Sequence, residues 1–444
     1  LYRRFLNSIY RNKSAKGGDV LHNRSGNRSL LIKHAAEIVT NTGTVAKKGA
    51  DMNHLKKITD GAIMVKNGII EWVGATADLP VGNEKNLEII DASGCSVIPG
   101  FVDSHTHFVF GGYRPEEFFW RLSGTPYLEI LERGGGILNT VEATQSMEYD
   151  AMVQTASKRL DAMLAMGVTT VEGKSGYGLD LDTELRQIKA MGELNNNHAV
   201  DVVPTFMGAH AVPPEYRGRE DDYVAFIVEK VLPAVVGQGI AEFCDVFCEK
   251  GVFSVEQTRK ILQAAGALGL KSKIHADEIV SFGGAELAAE LAAVSADHLL
   301  QASDKGIADM AARGVVATVL PITAFCLREQ YARARTIIDS GGAVALATDY
   351  NPGSCFSHSI PMLIALAAIQ LRLSPAEILT ALTLNGAAAV GRADRIGSLE
   401  RGKQADIIML KYPSHLFLSY HVGMDIVDKV IKKGQVVVDK ADLT

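Results

Sequence analysis

The chain has 444 residues, 47% of them hydrophobic and 22% charged, enough for one barrel-sized domain of about 250 residues plus a smaller one. A formal net charge of -6 gives no broad basic face for nucleic acid, and no apolar run reaches the 18 or so residues that a membrane span needs. The five cysteines lack C-x-x-C spacing, so reduced thiols and a cytoplasmic location are expected.

Residues 1–30 are set apart as an extension. Up to Lys33 the chain carries eight Lys and Arg against the single acid Asp19, a composition shared by organellar transit peptides, disordered tails and upstream sequence foreign to the natural product. The lack of an initial Met favours the last two. Short β-like runs follow at 29–32, 61–66, 69–73 and 87–90, with Asn67-Gly68 as a hairpin turn. The same style returns near the C-terminus at 405–410, 427–431 and 435–438. Two β-rich ends around a different middle predict one small β-sandwich domain built from residues 31–97 and 398–444.

Residues 98–397 alternate strands with helices. Strands are expected at 97–103, 168–172, 200–206, 243–248, 273–275, 295–299, 315–320 and 343–347, with helices at 150–166, 182–195, 254–268 and 303–312. Ser254 and Ser374-Pro375 are placed as helix caps, and the apolar run 360–371 reads as a buried helix broken by Pro361. Eight such units predict an α/β fold, a (β/α)8 TIM barrel, with an open doubly wound sheet as the alternative. The C-terminal ends of these strands carry His105 and His107, Glu172 and Lys174, His210, Glu249 and Lys250, His275 and Glu278, His298, Thr323, and Asp349.

His105 and His107, spaced i, i+2 after a strand, face one point. With His275 and Asp349 they make a three-nitrogen, one-carboxylate set suited to one Zn2+, or Fe2+/Fe3+, per subunit, leaving a position for water. Each of the four alone would read as a surface, structural or capping residue; their joint placement at strand ends makes the metal site. Glu278, three residues past His275, is placed to carry a proton from that water, unless it only opens the following helix. His298, which alone on an apolar strand would read as structural, is placed to polarise a carbonyl or steady the hydroxide, and His298, Glu278 and Asp349 form the expected catalytic set. Cys244 and Cys248 read as buried thiols, Gly134-Gly135-Gly136 lacks the Lys-Ser/Thr of a phosphate loop, and Ser175 lacks the setting of a nucleophile elbow.

The two histidines, later His residues and final Asp resemble the amidohydrolase superfamily. More narrowly, the chain is similar to the imidazolonepropionase family of histidine degradation in 105–114, Tyr127-Leu128-Glu129-Ile130 with Gly134-Gly135-Gly136-Ile137, 174–179, Gly208-Ala209-His210, 245–251, His275-Ala276-Asp277-Glu278 and 349–354. The resemblance implies hydrolysis of the cyclic amide of 4-imidazolone-5-propanoate to N-formimidoyl-L-glutamate, by metal-activated water with Glu278 as proton shuttle. It also implies substrate contacts at Arg114, Tyr177, His210, Glu278, Asn351, Gly353 and Ser354, Arg114 offering its planar fork to the propanoate. A homodimer follows from the resemblance and the prevalence of two-fold oligomers.

Two other readings stand beside it. A cyclic-amidine or nucleobase deaminase could use the same ligands, although Arg114 and the Tyr177 loop favour an anionic ring. A scaffold without activity would have lost ligands or the proton carrier, and all are present. A second metal bridged by a carboxylated lysine would need Lys250 or, less aptly placed, Lys174.

Overall fold

The computed structural model describes residues 29–80, 87–125, 129 and 135–440. Most of the basic N-terminal stretch lies outside the described residues, as do Tyr127, Leu128, Ile130 and Gly134 of the motifs above. Five strands come first: β1 (Ser29–Val39), β2 (Lys57–Lys66), β3 (Ile69–Ala75), β4 (Leu87–Asp91) and β5 (Ser96–Pro99). Asn67 (φ 52°) and Gly68 (φ 81°) both take the positive φ of a type I′ turn between β2 and β3.

The barrel strands follow, each parallel to the next: β6 (Phe101–Asp103), β7 (Val168–Lys174), β8 (Asp201–Ala209), β9 (Phe243–Cys248), β10 (Lys271–Ala276), β11 (Ser295–His298), β12 (Val316–Val319) and β13 (Ala343–Leu346). Their buried, near-continuous apolar runs are what a parallel sheet covered by helices requires. The C-terminal strands β14 (Ile407–Leu410), β15 (Val427–Lys432) and β16 (Gln435–Asp439) return to the first sheet. That sheet has the order β16-β15-β14-β5-β1-β2-β3, with β4 also on β1. Only the β1 pairings with β4 and β5 are parallel; the rest are antiparallel. Ile32, Ile38, Ile63, Val97, Ile407 and Ile431 are fully buried in a core of its own.

Two expectations need correction. The run 97–103 is two strands, because β5 pairs with β14 in the terminal sheet and only β6 joins the barrel. The break is at Gly100, where a Cβ would run into the Thr169 side chain. The apolar helix near 360 is not broken by its proline: Pro361 lies in the first turn of Ile360–Ile369, behind the cap Ser359, where a missing N–H costs nothing. Ser254 and Ser374 both form full capping boxes. Among the described residues no helix is long and apolar enough to cross a membrane.

The barrel sheet runs from β6 to β13, and its seam closes just beyond those strands. Asp103 accepts hydrogen bonds from Thr348 N (3.0 Å) and Oγ1 (2.6 Å). Then Asp349 N donates to His105 O and His107 N donates to Tyr350 O, both at 3.0 Å. The stitching that closes the barrel therefore lays 105–107 against 349–350.

Candidate metal centre and active site

That seam places His105, His107 and Asp349 side by side. Their donor atoms lie within 4.8 Å of one another, with Asp349 Oδ1 3.5 Å from His105 Nε2 and 3.8 Å from His107 Nε2. His275, at the end of β10, brings its ring centroid 4.5 Å from that of His105 and 5.5 Å from that of His107. His298 at the end of β11 also lies within 4.8 Å of His105 and His275 by donor atom, as near as a ligand would stand. All five side chains are buried, and burial holds the His105, His107 and His275 imidazoles well below their usual pKa, so they are neutral lone-pair donors.

The donor set fits a metal. His105 Nδ1 donates to Asp297 Oδ2 (2.7 Å) and His275 Nδ1 to Asp245 Oδ2 (2.9 Å). Their Nε2 atoms are buried with no hydrogen-bond partner. A carboxylate behind the imidazole and a bare Nε2 in front is the arrangement that orients metal-ligating histidines. Burial pushes the Asp349 carboxyl up to about 7, against the opposing hydrogen bond from Thr323 Oγ1 at 2.7 Å; a cation between Asp349 and the imidazoles offsets that penalty. Asp349 (φ 51°), Asp277 (φ 50°) and His298 (φ 74°) hold left-handed backbone, a conformation costly for non-glycine residues and concentrated here around one centre.

Glu278 does not open a helix. It stands in a bend after β10, while the next helix, Gly284–Glu290, starts later. The Asp277 carboxylate accepts from the N–H groups of Phe282, Gly283, Gly284 and Ala285, and Glu249 accepts from Ile279 N at 2.8 Å. These two carboxylates fix the bend from both sides. Glu278 Oε1 then lies 3.5 Å from His298 Nδ1; burial together with the nearby Asp349 pushes its carboxyl up to about 8, and a cation beside Asp349 would draw it back toward the carboxylate that accepts a proton.

The expected substrate residues line one side of the cluster. His210 stacks on His107 at 4.8 Å with 16° between planes, and Tyr177 lies 5.3 Å from His210. The Arg114 fork is not free as expected: Nε donates to Glu117 Oε2 at 2.7 Å and Nη2 to Glu117 Oε1. Its Nη1 lies where a Cβ on Gly353 would stand. The Asn351 amide is engaged within its own loop, donating to Asp349 O (2.7 Å) and Ser354 Oγ (2.8 Å) and accepting from Gly353 N and Ser354 N at 2.8 Å each. It shapes the loop on which Gly353 and Ser354 sit.

Several working residues escape a reading of the sequence. Glu117 joins Arg114, Arg121 Nη2 (3.0 Å) and Gly136 N (2.7 Å) at one carboxylate. Asp245 and Asp297, which back the ligand histidines, carry one signal that could have found them: each is a charge inside an apolar strand, and a buried charge needs a partner. Of the lysines considered as metal bridges, Lys250 is exposed and Lys174 is ion-paired to Asp245, Glu172 and Asp297. A separate cavity of about 470 Å³ between the helices Tyr149–Leu164 and Leu181–Asn197 is lined by residues such as Lys158 and Asp161 and holds none of this chemistry.

Comparison with known proteins identifies the family and the fold. Residues 96–437 match the sequence model of the amidohydrolase family. A protein of Parabacteroides distasonis named "Imidazolonepropionase" is 59% identical over 411 residues, covering 92% of this chain and 99% of its own. One of the same name from Clostridium tetani is 56% identical over 414 residues, 93% of this chain and 99% of its own. Among solved structures, a zinc-bound adenosine deaminase from Xanthomonas campestris superposes with a TM-score of 0.71 at 21% identity, covering 94% of this chain and 96% of that one. A zinc-bound atrazine chlorohydrolase from Arthrobacter aurescens gives 0.69 at 19%, covering 92% and 95%; at such identities the likeness is one of fold. The chain belongs to the amidohydrolase family, among its imidazolonepropionases.

Proposed function

We propose that the chain hydrolyses 4-imidazolone-5-propanoate to N-formimidoyl-L-glutamate, using one Zn2+ or Fe2+ held by His105, His107, His275 and Asp349. The observation that carries this reading is the pair of bare, carboxylate-backed Nε2 atoms of His105 and His275, with His105 belonging both to a donor group with His275 and His298 and to one with His107 and Asp349; the substrate is that of the relatives' name. A metal bound there supplies Lewis acidity and lowers the pKa of a coordinated water.

The chain's own residues do the rest. Glu278 takes the proton from the attacking water as its oxygen joins the ring carbonyl carbon, and delivers it to the ring nitrogen as the C–N bond breaks. His298, 3.5 Å from Glu278, steadies the charge that grows on the carbonyl oxygen. Arg114 Nη1 and the backbone of Gly353 and Ser354 receive the propanoate together, the missing Cβ of Gly353 letting the Arg114 fork lie against that loop. Tyr177 and His210 flank the ring; the His210 Nδ1 bond to Gly176 O (3.1 Å) leaves its Nε2 free to accept.

The test is to supply imidazolonepropanoate to the purified chain and follow loss of its ultraviolet absorbance, with cytosine and guanine as controls. Turnover of the imidazolone alone supports the reading. Turnover of a nucleobase with none of the imidazolone contradicts it and moves the chain to the deaminases.

A further inference from the structure

Beneath the ligand histidines lies a lysine that the proposed chemistry does not use. Lys174 is fully buried at the end of β7. Its Nζ donates to Asp245 Oδ2 at 2.6 Å and to Glu172 Oε1 at 3.1 Å, and lies 3.2 Å from Asp297 Oδ2. The two aspartate oxygens are the same ones that receive His275 Nδ1 and His105 Nδ1. One ammonium thus stands at the middle of a continuous chain from His105 through Asp297, Lys174 and Asp245 to His275. The backbone adds a second tie, since Lys174 N donates to Thr106 O at 2.9 Å, between the two histidines of the seam. Lys273 completes the charge balance from below, donating to Glu172 Oε2 at 2.6 Å.

We propose that Lys174 is a positioning residue of the metal centre, aiming the Nε2 atoms of His105 and His275 together through Asp297 and Asp245. The proposal rests on the reading of those two histidines as metal ligands. Donor oxygens of Asp245 and Asp297 fall within 4.8 Å of each other, in a group with His275, and two carboxylates that close in a water-free interior repel strongly. Without a cation between them one must turn away, and it takes its imidazole with it. An Nε2 displaced by even a fraction of an ångström no longer meets a metal at a coordination distance of about 2.0–2.1 Å. The ammonium also takes the place of a cation beside Asp245 and Asp297, whose oxygens form a donor group with His275. Enclosed by three carboxylates, it is a donor and a counter-charge, the opposite of the anionic carboxylated lysine that bridges two metals.

Lys174→Met in the full chain is the test, since Met keeps the length and removes the charge. The readouts are zinc affinity by competition with a chelating dye and the thermal midpoint of the metal-free protein. A positioning role predicts a folded variant whose zinc affinity falls by about 10–100-fold, the usual cost of losing an outer partner of a ligand. A role confined to holding strands together predicts a lowered midpoint with parental zinc affinity, and that result overturns the proposal. His275→Ala, measured alongside, separates the two levels: if it also binds zinc as the parent does, the ligand assignment itself has failed. Should Lys174→Met not fold, Asp245→Asn, Asp297→Asn and their double variant replace it. Coupling through one ammonium predicts that the double variant loses less affinity than the product of the single losses; strictly multiplicative losses contradict it.

Discussion

At the scale of single residues, the site assigns different work to groups that stand side by side. Glu278→Gln keeps the shape of a carboxyl that touches no proposed ligand, so metal content should stay at the parental level. Turnover should fall by about 10²–10⁴, the usual share of general acid–base catalysis; metal analysis and steady-state kinetics on one preparation check both. Loss of metal would make Glu278 a ligand. Arg114→Ala should weaken substrate binding by roughly 1.5–3 kcal/mol, the range for hydrogen bonds to charged groups, seen as a raised KM with parental metal content. Part of that loss will come through Glu117, whose carboxyl burial would raise but whose bonds from Arg114 and Gly136 N hold below the usual range. The His, Glu and Asp of the centre were legible because each is a reactive type at a strand end. Glu117 was not, because a Glu in the first turn of Pro115–Leu122, with Arg121 at i+4, looks like any dipole-compensating acid in a surface ion pair, and only the fold brings Gly136 N to it.

Among the elements, strands and helices followed from alternation, apolar runs and caps, whereas the connections between sheets did not. The run 97–103 carries no periodicity that separates β5 from β6; the division is made by Thr169 pressing on Gly100, a contact distant in sequence. The latch between the sheets is hidden for the same reason. Asp201, the first residue of β8, receives Lys432 Nζ (2.8 Å), Lys433 Nζ (2.7 Å) and Gln404 Nε2 (2.9 Å) from the terminal sheet and its approach. Burial alone would raise its pKa, but Lys432 and Lys433 outweigh it and hold the carboxyl at about 2, below its ordinary 3.8. A depressed carboxyl stabilises the fold above the unfolded value and loses that contribution as pH falls from about 4 through about 2. Asp201→Asn should therefore cost on the order of 2 kcal/mol near neutral pH, about half of that near pH 3, and much less near pH 2. Urea unfolding across these pH values measures it, and an equal cost throughout would show that charge is not what the latch uses.

For the molecule as a whole, barrel closure and site assembly are one event. The hydrogen bonds from Asp349 N to His105 O and from His107 N to Tyr350 O join the end of the barrel sheet to its start and set His105 and His107 against Asp349. Relatives that share 56–59% identity over more than nine-tenths of this chain span both the seam and the terminal sheet latched beneath it. On the proposed reading, this seam builds a single metal centre that opens the imidazolone ring. Stripping the protein of metal and titrating Zn2+ or Fe2+ back while following imidazolonepropanoate turnover tests it most directly. Activity should be absent in the stripped protein, rise in proportion to metal, and level off at one ion per chain. Full turnover without metal, or a site filled with metal that leaves the imidazolone untouched, would contradict it.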